Sequence, residues 1–298
     1  MEIAIISGKG GTGKSCVSAA LATLSNKVVL ADCDVDAANM YLIFHPLISE
    51  EKIYIGSRKA IIDYNKCSSC GLCMDYCRFD AISKISGEIV ISELLCDGCE
   101  LCSRICHEEA ILMANNQNSR LYAGDFRNGK MVYGRLAPGE ETSGKLINLV
   151  REKAKQAALS NGIETIIIDG PPGIGCPVIS TISGIDHIII VTEPSKSALD
   201  DLKRALQVVS VTGIASSVII NKYDLNIKMS RQIEEYCQNH DVQIVAHLPY
   251  DNRVVDAMVS CMSMTEYAPE TDFSKSIQMV FNRILYGNKK RIYPTICW

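Results

Sequence analysis

Gly8-Lys9-Gly10-Gly11-Thr12-Gly13-Lys14-Ser15 is the stretch on which the reading of the whole chain turns. It follows Glu2-Ile3-Ala4-Ile5-Ile6, an apolar run of the length of a buried strand. It precedes Ser18-Ala19-Ala20-Leu21-Ala22-Thr23-Leu24, which has the composition of a helix. Strand, glycine loop, helix is the context in which G-x-x-x-x-G-K-[ST] forms a phosphate cradle. The glycines let backbone N–H groups turn inward, and the helix adds its positive N-terminal end. Lys14 can then reach the β- and γ-phosphates of a nucleotide, and the Ser15 hydroxyl can sit on Mg²⁺. Gly8, Gly10, Gly11, Thr12, Gly13, Lys14, Ser15 and Cys16 are the nucleotide contacts expected from this stretch. Without its flanks it would be a glycine turn that binds nothing.

Outward from the loop, Val28-Val29-Leu30-Ala31 reads as a second strand, ending in Asp32-Cys33-Asp34-Val35-Asp36. Alternate aspartates just past a strand lie where open α/β sheets bind ligands; one of them could orient a water or help hold Mg²⁺. An Asp cap for the next helix is the plainer reading. Strand and helix patterns alternate again from 144 onward. Helix is expected over 144–160, strand over 163–168 ending in Asp169-Gly170-Pro171-Pro172-Gly173, strand over 186–192, and helix from Pro194-Ser195 to 211. Strand over 217–220 ends in Asn221-Lys222, helix covers 229–239, and strand 242–248 ends in Pro249-Tyr250-Asp251, before two last helices over 252–261 and 271–286. This alternation predicts an α/β fold with a mostly parallel, doubly wound sheet covered on both faces. Gly139-Glu140-Glu141-Thr142-Ser143-Gly144-Lys145 repeats the loop pattern, but Leu146 follows, no strand precedes it and its glutamates repel phosphate. It reads as a helix start capped by Thr142 or Ser143.

Between these parts lies a cysteine-rich block, 53–114. Fourteen cysteines in 298 residues is a high count, and eight of them fall into two copies of one run. Cys67-x₂-Cys70-x₂-Cys73-x₃-Cys77 is matched by Cys96-x₂-Cys99-x₂-Cys102-x₃-Cys106, with Leu72 matching Leu101 and Ala81-Ile82 matching Ala110-Ile111, so the block is an internal duplication. The run C-x₂-C-x₂-C-x₃-C holds [4Fe–4S] clusters, the fourth cysteine of each run ligating the other cluster. Cys67, Cys70, Cys73 and Cys106 are therefore assigned to one cluster, and Cys96, Cys99, Cys102 and Cys77 to the other. Zinc sites use ligand pairs split by long spacers instead. The chain is expected to divide into a nucleotide-binding domain, 1–52 with 115–298, and an insertion over 53–114. The remaining six cysteines, Cys33 and Cys176 among them, read as small buried or terminal residues.

The cysteine block resembles the bacterial two-cluster ferredoxins, an α+β fold, except that Arg78 and His107 stand where a proline follows each fourth cysteine. Arg78 is expected to raise the potential of its cluster by its charge. Lys9 before Gly10 makes the glycine loop resemble the deviant Walker A motif of the MinD/ParA superfamily, which includes the nitrogenase iron protein. The combination is similar to MinD-type P-loop ATPases that carry an inserted ferredoxin domain. The resemblance implies that Lys9 crosses an ATP-bound homodimer to the partner's phosphates and that Asp34 orients or activates the attacking water. It further implies that Asp169 and Ser15 serve Mg²⁺, that 170–173 senses the γ-phosphate, and that Asn221 and Pro249-Tyr250-Asp251 approach the adenine. ATP or ADP, Mg²⁺ and two [4Fe–4S] clusters are the implied cofactors.

Three functions compete on this reading. An ATP-gated electron carrier would use the dimer cycle to pass electrons through the clusters to a protein partner. A maturation ATPase would carry clusters as cargo to an accepting protein. A MinD-like positioning ATPase would act at a membrane or on DNA. The net charge of −4 is mild and does not suggest a non-specific nucleic-acid binder, which needs a broad basic surface. No stretch has the length of a membrane span and the first residues lack a signal-peptide pattern, so the expected location is the cytoplasm. The basic and aromatic tail over 289–298, interrupted by Pro294, reads as a solvated terminus.

Overall fold

A computed structural model describes residues 1–140 and 142–286. The expectations placed on Glu141 and on the 289–298 tail lie outside the described residues. In chain order the elements are β1 (Glu2–Ser7), α1 (Lys14–Thr23), β2 (Val28–Asp32), α2 (Met40–Phe44), β3 (Leu47–Tyr54), β4 (Arg58–Ile62) and α3 (Leu72–Asp75). Then come β5 (Ile82–Ile85), β6 (Glu88–Ile91), α4 (Leu101–Ile105), β7 (Ile111–Asn115), β8 (Ser119–Phe126), β9 (Gly129–Arg135), α5 (Ser143–Asn161) and β10 (Ile166–Pro172). The last are α6 (Cys176–Ile182), β11 (His187–Thr192), α7 (Lys196–Ser210), β12 (Ala215–Asn221), α8 (Ile227–Asn239), β13 (Gln243–Leu248), α9 (Arg253–Val259), α10 (Met264–Tyr267) and α11 (Asp272–Phe281).

Nine strands form one sheet in the order β13-β12-β11-β1-β10-β2-β9-β8-β3. From β13 to β9 every pair is parallel; β8 runs antiparallel to β9 and β3 antiparallel to β8. The strand interiors are continuous apolar runs because both faces are covered. In β1, Ala4 and Ile6 pack on one side with α5, α6, α7 and α8, whereas Ile3 and Ile5 pack on the other with α1, α2, α9, α10 and α11. Ile5, Ile6, Leu30 and Ile168 are almost wholly buried in these two layers. The expected α/β class and parallel sheet are what the structure shows.

The antiparallel edge was not anticipated: the sequence pattern placed no strand between the 53–114 block and the 144–160 helix. The two strands are joined by the two-residue loop Arg127-Asn128, with Phe126 paired to Gly129. Gly129 has φ +149 and a Cβ there would stand 2.0 Å from the Val28 carbonyl oxygen, so β9 can approach β2 only with glycine at that point. α5 starts at Ser143 with Thr142 in the cap position, but the Thr142 side chain makes no capping bond, which corrects the expected cap.

Between β3 and β8 the chain leaves the large sheet. Because Tyr54 is paired with Ser119, exit and return lie side by side and the sheet continues undisturbed. Residues 58–115 form two small antiparallel pairs, β4 with β7 and β5 with β6, around their own apolar cluster of Ala60, Ala81, Ile82, Ile89 and Ile111. The duplication extends to the backbone: left-handed residues recur in matching places, Ser69 with Gly98, Gly71 with Glu100, and Asp80 with Glu109.

Candidate functional site

Parallel strands end on one side of the sheet, and there the loops after β1, β2, β10, β11, β12 and β13 meet. A cavity of about 440 Å³ opens at this edge. Its wall includes Gly10 to Cys16, Asp34, Asn221, Pro249, Tyr250 and Asp251, so the structure brings these residues together. Gly8, Lys9 and Asp169 are not on the wall. Gly8 lies against α7, where a Cβ would come within 2.6 Å of Asp201 Cβ.

The loop is held by chain geometry and by one amide. Gly13 has φ +92, and a Cβ on it would lie 2.2 Å from Asn221 Nδ2. That nitrogen donates to the Thr12 carbonyl at 2.8 Å, while the Asn221 Oδ1 accepts from the Lys222 N–H at 3.0 Å. Asn221 thus braces the loop from the end of β12, besides lining the cavity. Thr12 Oγ1 is buried on the cavity wall with no hydrogen-bond partner among the described residues. A buried hydroxyl without a partner is costly in a protein alone, and a phosphate oxygen would satisfy it.

Asp169 lies in the middle of β10 and is fully buried. It accepts from Lys14 Nζ at 2.9 Å and Ser15 Oγ at 2.8 Å on one oxygen, and from Ser18 Oγ at 2.7 Å on the other. Lys14 Nζ also stands 3.6 Å from the Asp34 carboxylate. Burial alone would lower the Lys14 pKa; Asp169 and then Asp34 outweigh it and hold the ammonium above its usual value. Burial raises the Asp34 carboxyl, and Lys14 offsets only part of that. The donor set of one hydroxyl and two carboxylates around an ammonium fits a Mg–nucleotide complex in chemistry, since hard oxygen ligands are what Mg²⁺ takes.

Three further residues at this edge, Ser18, Glu193 and Lys222, escaped the pattern, and Asp32, the first of the alternate aspartates, proves to serve the backbone. Asp32 is fully buried and accepts the backbone N–H groups of Asp34, Asn39 and Met40, each at 3.1 Å, so it sets the path of the loop that carries Asp34. Burial, then the Asp169 charge, push its carboxyl up to about 7. Ser18 was hidden in an alanine-rich helix, though its place one turn after Lys14 was a usable signal. Glu193 and Lys222 follow strands β11 and β12. Lys9 Nζ pairs with Glu193 at 2.7 Å and reaches Ser195 Oγ and Ser197 Oγ at 3.2 Å each, so within one chain Lys9 folds back onto the start of α7. Lys222 reaches Glu193 at 3.4 Å. Burial would raise the Glu193 carboxyl, but the two ammonium groups hold it below the usual carboxylate range.

The cysteine runs line two separate cavities. Cys67, Cys70, Cys73 and Cys106 stand around one of about 150 Å³. Cys77, Cys96, Cys99 and Cys102 stand around a tighter one of about 20 Å³. The Ala110 N–H donates to Cys106 Sγ at 3.4 Å. Among the described residues no group of three or more His, Cys, Asp or Glu side chains is arranged to hold one metal ion. Arg78 stacks on the Phe79 ring, 4.8 Å from its centroid. Cys33 is fully buried, and burial followed by the Asp32 charge pushes its thiol above the usual value. Cys176 is exposed at the start of α6. No helix of the described residues is long and apolar enough to cross a membrane.

A glycine loop between the central strand of a parallel sheet and its first helix defines a nucleotide-binding α/β protein of the P-loop class. The chain belongs to the CobQ/CobB/MinD/ParA nucleotide-binding domain family, whose model matches residues 3–263. It is 39% identical over 230 residues to MJ0578, an uncharacterised protein of Methanocaldococcus jannaschii, covering 76% of this chain and 79% of that one. It is 24% identical over 261 residues to the septum site-determining protein MinD of Synechocystis, covering 85% and 77% of the two chains. Among solved structures, MinD of Pyrococcus horikoshii complexed with Mg-ADP superposes with a TM-score of 0.59 at 21% identity, covering 98% of this chain and 99% of that one. The cell division ATPase MinD of Pyrococcus furiosus does so with a TM-score of 0.57 at 19% identity, covering 96% and 98%.

Proposed function

We propose that the chain is an ATPase whose nucleotide-driven dimer cycle gates electron transfer through two [4Fe–4S] clusters to a protein partner. The observation that carries this reading is the sorting of eight cysteines into two cavities, three from one run with the fourth from the other, on the chain that also bears the glycine loop. That crossed set is the ligand pattern of a two-cluster ferredoxin. A cubane cluster takes one thiolate at each iron, so its ligands need to surround a space and not converge on one point; the thiols here do the former. Clusters bound there would supply one-electron carriers.

At the nucleotide edge, Lys14 would bind the phosphates and Ser15 with Asp169 would hold Mg²⁺, which neutralises the developing charge of phosphoryl transfer. Asp34, its carboxyl raised by burial, would orient the attacking water and accept its proton. Lys9 would leave Glu193 and cross to the phosphates of a second copy, acting as a cation supplied in trans. Hydrolysis would then end the closed state.

Anaerobically purified full-length chain should contain iron and sulfide in equal amounts, hydrolyse ATP, and pass electrons to a partner at a rate that ATP changes. Iron-free protein after anaerobic reconstitution, or electron transfer indifferent to nucleotide, would sink the reading. The likeness to septum site-determining proteins supports a second one, ATP-dependent positioning at a membrane. Co-sedimentation with anionic liposomes only in the presence of ATP would favour it.

A further inference from the structure

Lys59, on β4, is 4% exposed, and nothing in the nucleotide or cysteine motifs calls for it. Its ammonium donates to the Cys96 carbonyl at 2.6 Å and to the Gly139 carbonyl at 2.8 Å. Both acceptors are neutral, so they solvate the charge without cancelling it. A buried ammonium costs several kcal/mol unless a negative charge stands near. Cys96 and Ala60, the residue after Lys59, both line the tighter cysteine cavity. A thiolate-ligated cluster is an anion, and reduction by one electron makes it more negative.

The second acceptor lies in the loop that leads from β9 into α5. That loop is clasped from the insertion side at several points. Glu140 accepts from Ser57 Oγ at 2.8 Å and from Asn116 Nδ2. Gly139 has φ +77, and a Cβ there would stand 2.6 Å from the Leu94 carbonyl oxygen. From the other side, the loop begins at Leu136, whose N–H donates to the Val35 carbonyl at 2.9 Å, one residue past Asp34. One short segment is thus bonded at its start to the Asp34 loop and, three residues on, to the ammonium that also holds Cys96.

We propose that Lys59 is a positioning residue that makes the potential of the cluster held by Cys77, Cys96, Cys99 and Cys102 answer to the nucleotide. The inference rests on the iron–sulfur reading above. The Lys59 charge stabilises the reduced cluster and raises its potential. A displacement of the Asp34 loop on nucleotide binding moves Leu136 to Gly139, and Lys59 follows its carbonyl, changing the field at that one cluster. At the other cluster, walled by Cys67, Cys70, Cys73 and Cys106, an exposed lysine, Lys84, donates to the Ser69 carbonyl at 3.1 Å, and among the described residues no such bond ties it to the 136–140 loop.

The test is a reductive titration of full-length, cluster-loaded protein followed by electron paramagnetic resonance, with Mg-ADP and with a non-hydrolysable Mg-ATP analogue. Iron and sulfide are assayed on the same samples. Wild type should show two midpoints, one of which shifts between nucleotides. Lys59→Gln, which keeps a donor but no charge, should have unchanged iron content, a lowered midpoint for that same centre and no nucleotide shift. Lys59→Arg should keep the higher midpoint. Equal midpoints and equal nucleotide response in wild type and Lys59→Gln, with iron present in both, would overturn the inference and leave the iron–sulfur reading standing. Wild type without iron or sulfide would overturn both. If Lys59→Gln fails to fold, hydrogen exchange of wild type decides: altered protection of 58–61 and 136–140 between nucleotides is expected, and unaltered protection refutes the coupling.

Discussion

Asp169 serves three donors from a fully buried position, and one of them is the Lys14 ammonium. Replacing it by asparagine turns an acceptor into a donor beside a buried cation. Asp169→Asn should cost about 3–5 kcal/mol of stability, read from denaturant unfolding, and lower ATP hydrolysis by about 10²-fold or more. Glu193 acts at the same scale but in the opposite sense. Its ion pair with Lys9 is half-exposed, worth at most about 1 kcal/mol. Glu193→Gln should free Lys9 and strengthen ATP-dependent self-association by about fivefold or less, measured by sedimentation. The glycine loop was legible as a unit because its spacing of glycines, lysine and serine is local, and the structure sets Gly10 to Cys16 on one cavity wall. Glu193 was not, because an acidic residue after a strand looks like any other, and only the pairing of β11 beside β1 brings it to Lys9.

The elements hold the loop in place through their ends. Gly13 bridges β1 and α1 at φ +92 and touches the Asn221 amide at the end of β12. Gly13→Ala should cost about 2–3 kcal/mol, from left-handed strain plus the lost Asn221 bond to Thr12, and should abolish nucleotide binding in a fluorescence titration. α7 begins with Ser195, whose Oγ accepts from the Ala198 N–H at 3.2 Å. Ser195→Ala should destabilise the chain by about 1 kcal/mol in thermal or chemical unfolding. The long helices α5, α7 and α8 followed from the sequence pattern, whereas the short α6 and the hairpin of β8 and β9 did not.

At the scale of the whole molecule, the sheet sets both stability and its response to pH. His187 opens β11, shares a bond of 2.9 Å with Ser217 Oγ on β12, and is held by burial below the usual imidazole pKa. The folded chain therefore takes up this proton less readily than the unfolded one. Stability from neutral His187 is complete above about pH 6.5 and is lost as pH falls from there through the folded pKa. His187→Gln should flatten that acid limb in unfolding measured between pH 7 and 5, and leave the plateau near neutrality in shape. The insertion is tolerated because β3 and β8 pair where the chain departs and returns, with Tyr54 opposite Ser119, so the large core closes without it. Its own cluster is small, Ala60, Ala81, Ile82, Ile89 and Ile111 beside the cysteines.

Local chemistry was enough to determine the phosphate cradle, the duplicated cysteine runs and the alternation of strand and helix, because each depends on residue type and spacing within a few turns of chain. The fold supplied what depends on neighbours distant in sequence. Strand order put Asp32 and Asp169 side by side at one sheet edge. The pairing of β11 beside β1 gave Lys9 its intramolecular partner. The return of the chain from the insertion set a buried lysine between a cysteine carbonyl and the loop that meets Val35. No periodicity carries such contacts, since they arise only when a sheet crosses its strands out of chain order and brings far segments within a hydrogen bond of one another.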